Sequence, residues 1–500
     1  MVNVTHTPEG NLLTYIDGEP VICTSDARFH NLGDCAWVAT ATVVVHIMPI
    51  GLGLLYSGLL RRKNALSMLF LAMCTYSIGA LQWFLMGYSL TYSETGSSFI
   101  GDLKYGGAKG VDIQPSPGSV YVPALLYFVY QLQFQAITVV ILIAGSAERG
   151  RILPFLILAF AWCTLVYNPV ACWVWSANGW LYQKGDLDFA GGGPVHIASG
   201  VGSFVLAYFV GPRRGYGTAK LDYRPQSPFF IVLGTAFIWV GWLGFNGASM
   251  SAFNLKSAMC ITNTVLAGSM GALSWTALDH MWTGKYSAIG ISSGILAGLI
   301  GITPAVGYVG APGALAVGAI TAAVANLSTG LKNILKVDDA VDAGALHAVG
   351  GVCGAIVTGI FADSRVASFD GITEIEGGWI NGNFKQMGWQ LAGALSIVVY
   401  TAVVTYLLCL IINFIPGCKF RSSEEAEVVG IDEEEVGEFT FDYVLLDQEY
   451  QPRQRVPQDP KLAAAARLST VKEENFSSPA SEHSSKEGIT ETEVTEVTRR

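Results

Sequence analysis

The sequence predicts an all-α integral membrane protein with eleven transmembrane helices, arranged as two inverted five-helix repeats plus one extra helix. The chain has 500 residues, 51% of them hydrophobic, and a mean hydropathy of +0.43. Such a composition is too apolar for soluble domains of this length. The other two observations behind the prediction are a series of eleven long apolar runs and a histidine segment that occurs twice.

The apolar runs are long enough to cross about 30 Å of hydrocarbon as helices. They cover 36–60, 65–91, 122–146, 153–175, 190–210, 228–249, 257–278, 287–303, 313–331, 340–361 and 388–415. With the N-terminus outside, the inner segments carry 14 Lys and Arg residues and the outer segments 7. Because cytoplasmic loops are enriched in basic residues, this bias predicts an extracellular N-terminus and a cytoplasmic C-terminus.

The histidine segment is the strongest internal signal in the chain. It reads DFAGGGPVHIASGVG around His196 and DAVDAGALHAVGGVC around His347, 151 residues later. Each histidine falls in the fifth run of its half, so an odd number of spans inserts the two halves in opposite directions. Inverted repeats of this kind build transporters whose site lies where the halves meet. We therefore expect the two rings to face each other, although each could instead be a packing histidine bonded to a nearby carbonyl.

The predicted segments follow from this repeat. They are an extracellular segment at 1–35, the first repeat at 36–211, the second at 227–362, the eleventh helix at 387–416, an ordered cytoplasmic tail segment at 417–445 and a disordered regulatory tail at 446–500. Residues 421–500 hold 19 acidic and 9 basic residues, which accounts for the whole net charge of −10. The rest of the chain is neutral, and no basic face for nucleic acid is present.

Carboxylates precede both histidines. Asp188 opens its span and could cap the helix or attract a cation, and we favour the structural role. Asp342, five residues before His347, is interpreted in the same way.

Aromatic residues and a serine form the next set of candidates. Tyr130 and Phe134 are one helical turn apart in the third span, and Trp175 ends the fourth span. Ser249 follows Phe245 by four residues, so these two residues share one face of the sixth span. Trp173, Trp239 and Trp242 accompany them. Tryptophans at membrane interfaces are commonly belt residues, and the set also suits a cation–π vestibule above an aromatic constriction.

The nine cysteines show no metal-binding spacing. Several lie in apolar runs as small packing residues, and Cys23 and Cys35 could form a disulfide if they are extracellular. Asn3 is a candidate N-glycosylation acceptor, and Ser469, in Arg-Leu-Ser, is a candidate phosphorylation site for a kinase acting on the tail. The N-terminus lacks the features of a cleavable signal peptide.

Eight segments together resemble the ammonium transporters of the Amt/Mep/Rh family, most closely the fungal methylammonium permeases. They are DCAWVATATVVV, LLYSGLLRRKNALSM, GSAERGR, DFAGGGPVHIASG, GWLGFNGAS, GITPAVGYV, VDDAVDAGALHAVGGVCGAIVTGIFA and GGWINGNFKQMGWQLAG. The resemblance covers residues 34–441. It implies a plasma-membrane protein that transports ammonium, ammonia and methylammonium, is not an enzyme and needs no cofactor or metal.

The resemblance also implies roles for individual residues. Trp175, Ser249 and Tyr130 would form the outer recruitment site, and Phe134 and Phe245 the stacked gate. His196 and His347 would be the twin histidines of the pore, and Asp188 the aspartate that orders its mouth. Many members have Phe at position 130. The segment GIDEEEVGEF, 430–439, is similar to an ordered tail segment that spans neighbouring subunits, which implies a homotrimer.

Three other functions remain open. A sensor or transceptor would signal through the long tail. An intramembrane metalloenzyme would use the two histidines as ligands but lacks a third. A gas or urea channel would differ only in its substrate.

Overall fold

The computed structural model describes residues 31–218 and 225–440, together with the backbone of three short strands nearer the N-terminus. Asn3, Ser469 and the side chain of Cys23 lie outside this part, and so the predicted glycosylation, phosphorylation and disulfide sites do too. The described chain is mainly helical. In order, its helices are α1 (Leu32–Val45), α2 (Met48–Leu59), α3 (Ala65–Gln82), α4 (Tyr88–Tyr92), α5 (Ala124–Leu142), α6 (Ile152–Trp162), α7 (Asn168–Trp175), α8 (Trp180–Lys184), α9 (Ala198–Val210), α10 (Pro228–Gly247), α11 (Leu255–Thr283), α12 (Ala288–Ile302), α13 (Ala311–Ser328), α14 (Leu331–Leu335), α15 (Gly350–Phe361), α16 (Ser364–Ala367), α17 (Lys385–Phe414) and α18 (Glu424–Val429).

Nine helices of the described chain, several of them built from consecutive segments, are long and apolar enough to cross a membrane. They are Leu32–Leu59, Arg62–Tyr92, Ala124–Ser146, Ile152–Lys184, Gly192–Val210, Pro228–Gly247, Ala311–Leu335, Gly344–Phe361 and Lys385–Phe414. The chain is therefore a multi-pass membrane protein. Two of the eleven predicted spans are not among the nine: they correspond to α11, which has 29 residues, and to α12, which is apolar but has only 15 residues.

Short strands correct the all-α prediction. Before α5, β4 (Pro115–Ser116) pairs antiparallel with β5 (Ser119–Pro123) across a Pro-Gly turn. Nearer the N-terminus, β1 (Thr5–His6), β2 (Leu12–Ile16) and β3 (Glu19–Cys23) form an antiparallel sheet in that order. Hydropathy over a long window does not detect strands of two to five residues, which is why the sequence pattern missed them.

Glycines let the helices approach closely. A Cβ on Gly234 of α10 would lie 2.5 Å from the carbonyl oxygen of Gly51 in α2, and one on Gly271 of α11 would lie 2.4 Å from that of Gly294 in α12. These distances are too short for any side chain. Small residues at crossings are the usual packing solution in lipid, where helices gain little from the hydrophobic effect.

A buried ionic cluster joins the loops at one end of the helices. Arg213 donates two hydrogen bonds of 2.8 Å to Asp338 and one of 2.8 Å to Glu148, and Arg61 donates to Glu148 at 3.0 Å. Burial alone would raise the pKa of the Glu148 carboxyl, but the two guanidinium groups hold it below its ordinary value. The pKa of Asp338 is lowered by Arg213 in the same way, against the opposing effect of burial. Both carboxylates are therefore ionised at neutral pH.

The C-terminal segment is anchored to the same end of the molecule, which we call the tail side. Asp432 accepts hydrogen bonds from the backbone N–H groups of Leu66 (2.9 Å) and Ser67 (2.7 Å) at the start of α3. Glu435 pairs with Arg151 at 3.0 Å. Charge-assisted contacts of this kind fix a segment that has few apolar side chains of its own.

Candidate functional site

Both histidines lie in π-helical turns that precede a regular helix. The first turn covers Gly192–Ile197 before α9, and the second covers Gly344–Val349 before α15. A π-helical turn adds one residue to the helical repeat and is frequent at functional sites. The two predicted copies therefore share a backbone irregularity as well as a sequence pattern.

An aspartate caps each of these turns. Asp188 accepts hydrogen bonds from the backbone N–H groups of Gly191 (2.8 Å), Gly192 (2.7 Å) and Gly193 (2.6 Å). Asp339 accepts from Ala343 (3.2 Å) and Gly344 (2.7 Å). The carboxylates thus satisfy N–H groups that the start of a helix leaves without partners.

Asp342, the other predicted structural carboxylate, makes an ion pair. Its carboxylate lies 2.6 Å from the Nζ of Lys332, and its backbone adopts a left-handed conformation, with φ of 57°. The N–H groups at the start of the π-helical turn are instead bound by Asp339. Aligning the two copies on their histidines does pair Asp188 with Asp339, so the sequence held the better signal.

The two imidazole rings meet in the interior. Their Nδ1 atoms are 3.4 Å apart and their centroids 5.5 Å apart, and the side chains of His196 and His347 are almost completely buried. Of two facing ring nitrogens, one must donate and the other accept, so one proton lies between the rings. Within the described chain, His196 Nε2 has no hydrogen-bond partner.

Trp242 supports the first ring. It stacks on His196 with centroids 5.2 Å apart and an interplanar angle of 21°, and its Nε1 donates to the Thr303 hydroxyl at 2.9 Å. Trp242 belongs to the aromatic set predicted from the sequence, but it was not predicted to lie beside the histidines. Trp242 lies three residues before Phe245 on α10, and so on the same helix face. This spacing was the sequence signal that could have placed it near the predicted site.

Reciprocal glycine contacts bring the two turns together. A Cβ on Gly200, four residues after His196, would lie 2.2 Å from the backbone nitrogen of Ala348. One on Gly351, four residues after His347, would lie 2.9 Å from the side chain of Ile197. Each turn therefore packs against the glycine that follows the other, as expected for two units related by a two-fold axis.

Aromatic rings lie on one side of the histidine pair. Phe134 and Phe245 are stacked, with centroids 3.9 Å apart and an interplanar angle of 20°. Trp175 meets Phe134 edge-on at 5.8 Å, and the ring of Tyr130 lies 5.1 Å from that of Phe134. The structure therefore brings together four of the predicted aromatic residues from α5, α7 and α10, whereas Trp173 packs elsewhere, bonded to the Phe99 carbonyl.

Two hydroxyl groups bind the end of α10. Ser249 and Tyr130 each donate to the Phe245 carbonyl at 2.7 Å, and Tyr130 also reaches the Gly244 carbonyl at 3.1 Å. Helix α10 ends at Gly247, so the helical spacing used to place Ser249 on the face of Phe245 does not apply. The turn that follows the helix nevertheless leaves the serine beside that residue.

Two cavities flank His347. The first, with a water-accessible volume of about 10 Å³, lies between Phe245 and the histidines and is lined by apolar side chains such as Leu52 and Ile141. The second, of about 80 Å³, runs from His347 towards the tail side and includes Tyr56 and Asp342. A narrow apolar space of this size is costly for an ion that must shed its water to enter.

The histidine pair does not form a metal centre in the described chain. No group of three or more His, Cys, Asp or Glu side chains there is arranged to hold a metal ion. A third ligand for the two rings is therefore not among these residues.

Known proteins resemble the chain over most of its length. A model described as Ammonium Transporter Family matches residues 36–441. Ammonium transporter 1 of Schizosaccharomyces pombe is 42% identical over 442 residues, covering 88% of this chain and 88% of that protein. Ammonium transporter MEP2 of Saccharomyces cerevisiae is 42% identical over 447 residues, covering 88% and 89%. The crystal structure of Saccharomyces cerevisiae Mep2 matches with a TM-score of 0.76 at 42% identity, covering 79% of this chain and 88% of that one.

Proposed function

Because the chain belongs to the ammonium transporter family, we propose that it moves ammonium and methylammonium across the plasma membrane through a pore built around His196 and His347. The supporting observation is the geometry of the pair: two buried rings border an apolar cavity directly behind a stacked aromatic gate. The proposal also includes eleven spans in two inverted repeats, with the N-terminus extracellular and the tail cytoplasmic. The assembly is a homotrimer with one pore per subunit.

Capture takes place on the outer side of the aromatic gate. Trp175 and Tyr130 offer aromatic faces to a cation, and the Ser249 hydroxyl can replace one of its waters. Phe134 and Phe245 then separate this vestibule from the cavity beyond. Ammonium loses a proton at the gate, and that proton is relayed separately from the ammonia.

Neutral ammonia passes the histidines. Its N–H groups can donate to a ring nitrogen, and its lone pair can accept from a ring N–H, so each imidazole offers what the small molecule needs. On the tail side, ammonia combines with the relayed proton to form ammonium again. A potassium ion cannot lose charge in this way, and the apolar cavity offers nothing that replaces its hydration shell.

The test is uptake of labelled methylammonium by cells that lack their own transporters, competed by ammonium and by potassium. We expect His196→Ala and His347→Ala to lower uptake or to let potassium compete. The matched control is His280→Ala, since that histidine stacks on Tyr286 at the end of α11, outside the cavities described above. Unchanged uptake and unchanged discrimination in both pore variants would refute the mechanism.

A sensor that signals through its tail is the second candidate. The contacts of Asp432 with α3 and of Glu435 with Arg151 favour it, because they couple the tail to loops between helices. Signalling that persists in a variant without measurable flux would support this function. Phosphorylation of Ser469 would add about two negative charges to the tail. Equal transport by Ser469→Asp and Ser469→Ala would exclude this serine as the switch.

A further inference from the structure

The cavity that runs from His347 towards the tail side, which we call the tail-side cavity, differs from the one behind the aromatic gate. Its water-accessible volume is about 80 Å³, and one water molecule needs only roughly 10–15 Å³. Serine, threonine and tyrosine residues line it among the apolar side chains, as does Asp342. The tail-side cavity therefore has room for a small ion with some of its water, whereas the narrow cavity beside Phe245 is suited to a neutral molecule.

The charged side chains around the tail-side cavity favour a cation. Among the described residues that line it, Asp342 supplies a carboxylate, and none is a lysine or an arginine. Lys332 reaches Asp342 at 2.6 Å, but it lines only a separate cavity beside α9 and α17, on which Asp342 also borders. The carboxylate therefore lies between a fixed ammonium group on one side and a cavity without basic side chains on the other.

Tyr56 adds a second polar group to the same cavity. Its side chain is 3% exposed, and its hydroxyl has no hydrogen-bond partner within the part of the chain that the structure describes. Buried polar groups are normally paired with protein, water or a ligand, because an unpaired one is costly. The Tyr56 oxygen can accept a hydrogen bond from an N–H donor in the cavity that Asp342 also lines.

The backbone at Asp342 indicates that its carboxylate does more than complete a turn. Aligning the two copies on their histidines pairs Asp342 with Gly191, since each lies five residues before its histidine. Both residues have positive φ, of 57° and 110° respectively. Glycine adopts this conformation without steric cost, whereas a residue with a side chain is strained there, and such strain is concentrated at functional sites. An aspartate at a position where glycine makes the corresponding turn indicates a role for its side chain.

We propose that Asp342 and the Tyr56 hydroxyl form a second ammonium-binding site, on the tail side of His347, where the cation formed from ammonia is held before it leaves. The class of ligand, ammonium and small primary ammonium ions, rests on the proposed function. Ammonium has N–H donors in tetrahedral directions, so it can donate to the carboxylate and to the hydroxyl. Lys332 places its own primary ammonium group on this carboxylate and is therefore a tethered competitor, which keeps the affinity low enough for release.

Ammonium binding to the purified full chain tests the site without measuring flux. The thermal midpoint is recorded in ammonium chloride and in equal concentrations of choline chloride, whose cation has no N–H group. Lys332→Gln removes the competitor and should lower the half-saturating ammonium concentration about fivefold, the upper value for an exposed ion pair. Adding Asp342→Asn to Lys332→Gln should abolish this gain. Asparagine is the suitable replacement because it tolerates the left-handed conformation.

Two further variants test the hydroxyl and the specificity of the effect. Tyr56→Phe keeps the ring, so in the Lys332→Gln background it should raise the half-saturating concentration again without lowering the midpoint in choline. The matched control is Asp279→Asn, because Asp279 accepts a hydrogen bond from Asn326 near the end of α11 and lines neither cavity beside Asp342. This control should leave the ammonium dependence unchanged. An unchanged ammonium dependence in Lys332→Gln, or an equal shift with potassium chloride, would overturn the site.

Uptake of labelled methylammonium by right-side-out membrane vesicles loaded with ammonium connects the site with transport. Internal ammonium should slow uptake by Lys332→Gln at about one fifth of the concentration that the parent chain requires. Parent vesicles that take up no methylammonium would refute the proposed function, while the binding measurements would still decide the site. Uptake with equal inhibition of parent and Lys332→Gln would refute the site and leave the proposed function standing.

Discussion

Replacing Asp188 separates two possible roles of its carboxylate at the mouth of the proposed pore. Its carboxylate could attract arriving cations, or it could act only as an acceptor for the three consecutive backbone N–H groups that it binds. Asp188→Ala removes both properties. Asp188→Asn removes the charge but keeps one carbonyl oxygen, which can still bind two of the three N–H groups.

The expected magnitudes follow from the hydrogen bonds. A buried donor left without an acceptor costs about 1–3 kcal/mol. Asp188→Ala leaves three such donors and should destabilise the protein by about 3–9 kcal/mol, a large part of a total stability of about 5–15 kcal/mol. Asp188→Asn leaves one donor unsatisfied and should cost about 1–3 kcal/mol. We therefore expect Asp188→Asn to fold and transport, and Asp188→Ala to lose both properties.

The assay combines the thermal midpoint of the purified protein with uptake of labelled methylammonium. Asp363→Asn is the matched control, because Asp363 accepts a backbone N–H at the exposed start of α16, away from the pore. Wild-type stability in Asp188→Ala would refute the capping argument. Normal stability with abolished uptake in Asp188→Asn would instead show that the negative charge itself recruits the cation.

Three further predictions concern packing, support and pH. Gly200→Ala places a methyl group 2.2 Å from a backbone nitrogen and should lower the stability of the fold by about 1–3 kcal/mol or more. Surface expression should therefore fall, and Gly200→Ser should express no better than Gly200→Ala. Trp242→Leu removes the stack on His196 and should alter discrimination against potassium more than stability, as measured by competed uptake and melting. Glu148 and Asp338 have lowered pKa values, so their contribution to stability should be complete above pH 4.5 and lost as pH falls through those values. Melting midpoints against pH should show this loss, and Glu148→Gln should reduce the pH dependence; a parent midpoint that does not fall in acid would contradict it.

The sequence was sufficient to find the centre of the site. Two histidines in similar apolar segments predicted that rings from the two halves would meet, because an isolated ionisable ring is costly in a membrane. The spacing of Tyr130 and Phe134 placed both on one face of α5. These predictions depend on helical periodicity and on the cost of burying polar groups, both of which are legible in a single sequence.

The sequence was less informative where the backbone leaves regular geometry. The end of α10 at Gly247, the left-handed residue Asp342 and the π-helical turns under both histidines all depend on contacts between distant segments. Ser249 reached its position through a turn and not through helical spacing. Hydropathy also gives only a weak signal for α11, whose buried face carries polar residues such as Asn263 and Thr264.

The hydroxyl of Tyr130 has a consequence for how the outer mouth can open. By binding the carbonyl groups of Gly244 and Phe245, it tethers the ring-bearing face of α5 to the last turn of α10. The two stacked rings, Phe134 on α5 and Phe245 on α10, are therefore held in position relative to each other by the Tyr130 hydrogen bonds. If the proposed pore opens here, either the two phenylalanine side chains rotate while Tyr130 keeps its hydrogen bonds to α10, or those hydrogen bonds break.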